Sequence, residues 1–136
     1  NVSVIKTAVS DKSGNSSLFI PEIANQGGGS FYRDKRFEAK EIEVEVKTLD
    51  EILKNEKSVD LIQIDICGNE GKAILGAKDT ISIHHPIIIF EYNKYGWDLA
   101  GVTIDSALNF LGKLGYKFEK IGKSGDSFNV LCLNDK

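Results

Sequence analysis

Two carboxylates stand directly after two apolar runs in the sequence. Asp65 follows residues 61–64, and Glu91 follows residues 87–90. Ligands of an open parallel sheet bind beyond the carboxyl ends of its strands, so we expect both acids to face a common cleft. A carboxylate at such an edge can orient a polar ligand or accept a proton from a reacting group. The alternative interpretation is that Asp65 caps the following helix and that Glu91 is a solvated strand end.

Two residues that follow Asp65 closely belong to the same candidate site. Gly68 lets a ligand or a backbone segment come close because it has no side chain. Glu70 lies in the first turn of the predicted next helix, where the helix dipole favours a negative charge. His84 and His85 are adjacent and lack the spacing of metal ligands, so we predict no metal site.

A strand–helix–strand unit is expected to position these acids. Residues 61–66 and 87–91 are nearly continuous apolar runs, which is typical of strands covered on both faces. Residues 69–81 between them carry apolar side chains at helical spacing. The connection is long enough for a right-handed crossover between two parallel strands.

Elements on either side of this unit are also readable from the pattern. Residues 2–9 and 18–20 read as strands, and residues 41–46 alternate strictly between Glu and apolar side chains, as in a strand with one face in water. Thr48 and Glu51 form a capping box that begins a short helix through about residue 55. Residues 103–114 predict a helix, and 116–121 and 129–133 predict an antiparallel hairpin around a turn at 122–126.

Composition limits the class of protein. The chain has 136 residues, of which 41% are hydrophobic and 27% charged, and its net charge is −3. These values fit a single α/β domain spanning residues 1–136 and argue against a disordered chain or a nucleic-acid-binding protein. We find no membrane-spanning run and no signal peptide, and two cysteines make no disulfide framework, so we expect a cytoplasmic protein.

Several segments, taken in order, resemble the FkbM-type methyltransferases. Residues 61–70 (LIQIDICGNE) and 74–77 (ILGA) are similar to the central motif of that family, a strand ending in Asp followed by Gly, Glu and a helix that closes in Gly-Ala. Before this motif, residues 8–14 (AVSDKSG) resemble the end of the family's third strand, and residues 28–30 (GGS) resemble its glycine-serine loop. Residues 46–52 (VKTLDEI) resemble its strand-to-helix junction. After the motif, residues 86–91 (PIIIFE) resemble its fifth strand, and residues 114–116 (LGY) the end of its last helix.

The resemblance implies a Rossmann-like, class I methyltransferase sheet that is mostly parallel and ends in an antiparallel hairpin. It also implies an enzyme that uses S-adenosylmethionine to methylate a hydroxyl group of a sugar or natural product. By this resemblance Asp65 orients the cofactor or the acceptor, and Glu70 or Glu91 serves as the acceptor-side base. Cofactor contacts would come from Ala8, Val9, Ser10, Asp65 and Gly68, and Ser30 together with Glu91 would contact the acceptor.

The chain also departs from the family pattern. Cys67 stands where the family usually has an acid, Gln63 where it often has Lys, and Gly71 where it has an apolar helix residue. The chain begins with Asn1 at about the third strand, so we expect the first two strands of the fold to be missing. Exposed strand edges at that gap would then favour self-association.

Two alternatives stay open at this point. Cys67 and the missing glycine-rich first strand favour a non-catalytic remnant or binding module that keeps the sheet edge without the cofactor site. A different doubly wound enzyme, such as a nicotinamide-dependent oxidoreductase, would carry its dinucleotide motif upstream of Asn1.

Overall fold

The computed structural model describes residues 1–22, 28–122 and 125–135, which form a mixed α/β structure with two sheets. The strands are β1 (Ala8–Val9), β2 (Gly14–Pro21), β3 (Ala39–Lys47), β4 (Leu61–Ile64), β5 (Ile87–Asn93), β6 (Tyr116–Ile121) and β7 (Ser127–Asn134). The helices are α1 (Leu49–Leu53), α2 (Glu70–Leu75), α3 (Lys78–His84), α4 (Lys94–Ala100) and α5 (Ile104–Lys113).

The first sheet has the strand order β1-β3-β2. β3 alternates as the sequence predicts, with its glutamates exposed and Val46 buried. β2 pairs with β3 along its whole length, from Gly14 opposite Val46 to Pro21 opposite Ala39, and so begins earlier than predicted. The predicted strand over residues 2–9 is wrong in extent, because pairing with β3 begins only at Ala8.

The second sheet has the strand order β4-β5-β7-β6. β4 and β5 are parallel and are joined through helices, which confirms the predicted strand–helix–strand unit. β5 and β6 both pair antiparallel with β7. Among the described residues two strand pairings are parallel and three antiparallel, so the prediction of a mostly parallel sheet is wrong. The C-terminal hairpin is confirmed, although Lys123 and Ser124 of its predicted turn lie outside the described residues.

The core lies on one face of the second sheet. Ile62 and Ile64 are buried there with Ile74 of α2 and Leu111 of α5. Leu61 on the opposite face is 53% exposed, so the prediction that β4 is covered on both faces is wrong. In the part of the chain that the structure describes, the helices of the core cluster pack against one side of β4, which leaves alternate residues of that strand in water.

The helix predicted over residues 69–81 is divided into α2 and α3 at Gly76 and Ala77. The carbonyl of Ser10, just after β1, reaches this junction so closely that a Cβ on Gly76 would lie 2.2 Å from its oxygen. Asp50 of α1 accepts hydrogen bonds from the backbone N–H groups of Asp79 and Thr80 at 3.2 and 2.8 Å, and thereby caps α3. These contacts come from distant parts of the chain, and periodicity does not reveal them.

The predicted capping box is confirmed on its Thr48 side. The Thr48 hydroxyl accepts a hydrogen bond from the N–H of Glu51 at 3.1 Å, and α1 ends two residues earlier than expected. α5 is confirmed with bounds one residue shorter at each end than predicted, and Gly115 follows it with φ of +89°. None of the helices in the described ranges has the length and apolar character needed to cross a membrane.

α4 is an element that the sequence analysis misses. Asn93 caps it by accepting a hydrogen bond from the N–H of Gly96 at 3.1 Å. Its Trp97 is 1% exposed and packs against Phe90 and Tyr92, with ring centroids 5.7 and 5.3 Å away. Gly71 makes room for this ring, since a Cβ there would lie 3.0 Å from it, which gives a packing reason for the departure at that position.

Candidate functional site

Three carboxyl groups meet where β4 ends, beside the C-terminal half of β5. Asp65, Glu70 and Glu91 each place a carboxylate oxygen within 4.8 Å of the others. Asp65 is exposed, Glu91 is half-buried, and Glu70 is 1% exposed. The structure thus brings together the two predicted acids and the acid of the next helix. Of the two, Asp65 follows the end of its strand as predicted, whereas Glu91 lies inside β5, which continues two residues beyond the predicted end to Asn93 and pairs Glu91 with Asn129. The structure does not use Asp65 as the helix cap, because α2 begins at Glu70 and its N-cap residue is Asn69, which makes no side-chain capping hydrogen bond.

Glu70 is committed to the loop that follows β4. Its carboxylate accepts hydrogen bonds from the N–H of Ile66 at 2.9 Å and from the N–H of Gly68 at 3.0 Å. Burial raises the pKa of Glu70, while these backbone donors and its own N–H oppose that rise. The side chain therefore fixes the shape of residues 65–68 and with it the position of the Asp65 carboxylate.

Cys67 lies at the turn of this loop. Its φ of +53° is in the left-handed region, which residues other than Gly rarely adopt. Burial raises the pKa of its thiol, and the negative charges of Glu70, Asp65 and Glu91 raise it further. The thiol is therefore neutral near pH 7 and adds no charge to the loop.

Gly68 makes a close contact with α4. Its φ is +102°, and a Cβ on it would lie 2.7 Å from the carbonyl oxygen of Gly96. A Cβ on Gly96 would in turn lie 2.9 Å from the Cα of Gly68. The close approach expected at Gly68 is therefore made by the backbone of Gly96, and a cofactor contact at Gly68 stays a prediction.

A chain of hydrogen bonds joins the loop after β4 to the segments on either side of it. Ser30 Oγ donates to the carbonyl of Cys67 at 2.9 Å. Tyr32 Oη donates to Asn69 Oδ1 at 3.0 Å, and Asn69 Nδ2 donates to the carbonyl of Val9 at 2.7 Å. Because Asn69 is 1% exposed, these bonds fix β1, the loop at 30–32 and the start of α2 relative to one another.

One cavity, of about 430 Å³, lies on the Glu91 side of the loop, and we call it the aromatic cavity. Aromatic side chains make up much of its wall, and its charged residues are Asp34 and Glu91. Its described lining is Phe19, Pro21, Gly28, Ser30, Tyr32, Asp34, Phe37, Ala39, Cys67, Glu91, Asn93, Tyr95, Gly96 and Leu99. The hydroxyl of Ser127 donates to Glu91 Oε1 at 2.9 Å and holds that carboxylate on β5.

A second cavity, of about 740 Å³, lies on the Asp65 side, and we call it the β1 cavity. Ala8 and Val9 of β1, Asp65 and Cys67 all line it, together with Phe31. Cys67 is part of both cavities, so the loop after β4 contributes to the wall between them. The acid cluster therefore lies where the two cavities approach each other.

Asp34, Arg36 and Tyr95 form a cluster at the edge of the aromatic cavity, which we call the clasp. It joins the segment before β3 to α4. Arg36 binds the carboxylate of Asp34, with Nη2 2.6 Å from Oδ2, and its guanidinium lies 4.1 Å from the centre of the Tyr95 ring. The Tyr95 hydroxyl donates to Asp34 Oδ1 at 3.2 Å. The side-chain hydrogen bond from Arg36 lowers the pKa of Asp34 to about 2 against a small opposing desolvation.

The predicted site residues fall into two groups in space. Ala8, Val9 and Asp65 line the β1 cavity, whereas Ser30 and Glu91 line the aromatic cavity. Ser10 follows β1 and directs its hydroxyl to Asp11 Oδ1 at 3.1 Å, outside both of these cavities. The roles assigned to these residues remain predictions.

Sequence reasoning misses the residues that close the aromatic cavity. Tyr32, Asp34 and Phe37 lie in a charged segment that reads as a plain loop, and Tyr95 lies in the overlooked helix α4. One signal was available, since Asn93 three residues before Gly96 is an N-cap residue at the end of a strand.

Comparison with known proteins identifies one match. The family model described as "Methyltransferase FkbM domain" covers residues 2–118, which is most of the chain and includes both cavities. No curated protein and no solved structure gives a significant match.

Proposed function

The chain belongs to the methyltransferase FkbM domain family, and from this premise we propose that it is an S-adenosylmethionine-dependent O-methyltransferase. The proposed acceptor is a hydroxyl group of a sugar or natural product. The family match supports this class over the alternative of a nicotinamide-dependent oxidoreductase. One observation carries the proposal beyond the family: two cavities approach each other at a single loop, and three carboxyl groups lie at that loop.

The residues of the β1 cavity fit the cofactor. Asp65 has an exposed carboxyl group, which complements the ammonium group at the amino acid end of S-adenosylmethionine. Ala8 and Val9 also line the cavity, and their small apolar side chains suit an adenine ring. When bound, the cofactor supplies an electrophilic methyl group.

The aromatic cavity would hold the acceptor. Its wall of aromatic side chains excludes water from the reacting hydroxyl and holds a ring by its apolar face. Orienting the acceptor oxygen in line with the methyl group removes much of the entropic part of the barrier.

Glu91 is the better candidate for the acceptor-side base. It lines the aromatic cavity and is held by Ser127, which leaves one carboxylate oxygen to accept the hydroxyl proton. Glu70 already accepts hydrogen bonds from two backbone N–H groups and is 1% exposed, so we assign it to positioning the loop.

No metal is assigned to the acid cluster. The spacing of Asp65, Glu70 and Glu91 would suit a cation, but the Glu70 oxygens are engaged by the backbone. The roles described here need only the carboxylates themselves.

Calorimetric titration with S-adenosylmethionine tests the cofactor assignment. We expect the protein to bind the cofactor and Asp65→Asn to weaken binding about tenfold or more, through loss of a charge pair. Glu119→Gln, which changes an exposed glutamate on β6, is the matched control and should bind as the unchanged protein does. Absence of binding, or equal binding by Asp65→Asn, would contradict the assignment.

A second candidate function is a binding module without transferase activity. Cys67 favours this candidate, because it stands where the resembling family usually has an acid. Its raised pKa keeps the thiol neutral, so the loop lacks the negative charge that such an acid would supply. The two candidates differ in measurable results: a binding module without the cofactor site takes up no S-adenosylmethionine in the calorimetric titration and transfers no labelled methyl group to a hydroxyl compound.

A further inference from the structure

The aromatic cavity is acidic on its inside. Asp34 and Glu91 are its charged lining residues, and none of the described side chains that line it is basic. The carboxyl groups of Asp65 and Glu70 lie within 4.8 Å of that of Glu91, which adds to the negative potential at the inner end of the cavity. Uncharged aromatic groups form much of the remaining wall.

The basic side chains of Arg36 and Lys72 contact the walls of this cavity without belonging to its described lining. Arg36 lies over the Tyr95 ring at 4.1 Å, and the amine of Lys72 lies 5.4 Å from the centre of the Tyr32 ring. Each therefore meets an aromatic face, and neither belongs to the lining that a bound molecule would contact.

The two carboxylates of the lining differ in how far their charge is neutralised. The guanidinium of Arg36 lies against Asp34 and makes hydrogen bonds to both of its oxygens at 3.0 Å and shorter. Glu91 has the hydroxyl of Ser127 as a hydrogen-bond donor, which carries no charge. The charge that a ligand meets inside the cavity is therefore mainly that of Glu91.

We infer that the aromatic cavity selects its acceptor by charge: it takes an uncharged, ring-shaped hydroxyl compound and rejects one with a carboxylate, sulfate or phosphate group. Glu91 is the residue that determines this selection. The inference rests on the proposed function, since it concerns the acceptor of that reaction. It adds a property that the reaction does not require, because methyl transfer to a hydroxyl is equally feasible on an anionic sugar.

The size and lining of the cavity agree with such an acceptor. About 430 Å³ accommodates one or two rings, and ligand pockets are commonly apolar with a few polar groups that fix orientation. Asn93 in the lining carries an uncharged amide whose Oδ1 caps α4 and whose N–H₂ group is suited to donate to a hydroxyl group. A like charge brought near Glu91 in this partly enclosed space would be repelled more strongly than in water.

Two glycosides of equal shape test the inference. The probes are 4-nitrophenyl β-D-glucopyranoside and 4-nitrophenyl β-D-glucuronide. The glucoside carries a hydroxymethyl group at the position where the glucuronide carries a carboxylate. Ligand-observed saturation-transfer NMR titrations, without cofactor, would give a dissociation constant for each with the unchanged protein, Glu91→Gln and Glu119→Gln.

We expect the glucoside to bind at least about tenfold more tightly than the glucuronide, and Glu91→Gln to reduce this ratio to about two. Glu119→Gln, as control, should keep the full ratio. Equal binding of both probes, or an unchanged ratio in Glu91→Gln, would overturn the charge selection.

Failure of both probes to bind would show that the aromatic cavity is not a site for ring-shaped acceptors. Calorimetry with S-adenosylmethionine alone does not involve this cavity, so it separates failure of the inference from failure of the proposed function.

Discussion

Carboxyl groups around the two cavities have different surroundings, and these surroundings set what each group can do. Asp34 is paired with a guanidinium, Glu70 is buried among backbone N–H groups, and Glu91 is half-buried with one hydroxyl donor. Only a carboxylate with an unengaged oxygen facing a cavity can receive a proton from a ligand. At the residue scale this condition favours Glu91 over the other two.

The pKa of Asp34 provides a test of the clasp. The Arg36 hydrogen bond lowers this pKa from 3.8 to about 2, and Arg36→Gln should return it toward the ordinary value. Because the folded-state pKa is lowered, the clasp contributes fully above pH 3.8 and is lost as the pH falls through about 2. An NMR titration of the carboxyl carbon measures both values, and an ordinary pKa in the unchanged protein would show that the clasp does not form.

Glu70→Gln should destabilise the protein although it preserves size and shape. The two carboxylate oxygens of Glu70 accept hydrogen bonds from the N–H groups of Ile66 and Gly68. A glutamine has one acceptor oxygen in their place, so its N–H₂ group would face a backbone N–H that then has no acceptor. An unsatisfied buried donor costs about 1–3 kcal/mol. Urea unfolding measures the loss against Glu119→Gln, for which we expect a change within about 0.5 kcal/mol. Equal stability of the two variants would mean that Glu70 does not hold the loop.

Local patterns predict those elements whose causes are local. The alternation of β3, the Thr48 cap and the periodicity of α5 are all readable because the residues responsible are neighbours in the chain. The break between α2 and α3 is not readable, since it depends on the approach of Ser10 to Gly76. The candidate site follows the same division. The two acids that follow apolar runs, Asp65 and Glu91, are predictable, whereas the aromatic walls come from segments that tertiary contacts bring together.

The contact between Gly68 and Gly96 makes a prediction at the scale of elements. Gly96→Ala would place a methyl group 2.9 Å from the Gly68 Cα, so α4 must move away from the loop after β4. Tyr95 would move with α4, and the aromatic cavity would change shape. We expect weaker glucoside binding by Gly96→Ala and little change in Gly112→Ala, whose Cβ would meet the Phe118 ring at an ordinary contact distance of 3.9 Å. Unaltered binding in Gly96→Ala would show that this contact does not shape the cavity.

At the scale of the whole molecule, one face and one edge of the second sheet are open. Leu61 and Ile87 are cross-strand partners in the parallel register and are 53% and 41% exposed. Within the described ranges β4 pairs with β5 alone, so its other edge presents unpaired backbone groups. Such edges and faces favour association between chains.

We therefore propose that the protein associates with itself through this region. Light scattering over a range of concentrations should show a mass above that of the monomer, and Leu61→Lys should lower it by adding a charge at the open face. Ser106→Lys, on the exposed side of α5, is the control and should associate as before. A monomer at all concentrations would contradict the proposal.

The central claim is that the two cavities and the acids between them form a methyl-transfer site. Its most direct test is to measure the transfer of a labelled methyl group from S-adenosylmethionine to an uncharged glycoside. The account predicts transfer by the unchanged protein and by Glu119→Gln, and a loss of about a hundredfold in Glu91→Gln, the range for removal of a general base. Absence of transfer by a protein that binds both cofactor and glycoside, or full activity in Glu91→Gln, would contradict it.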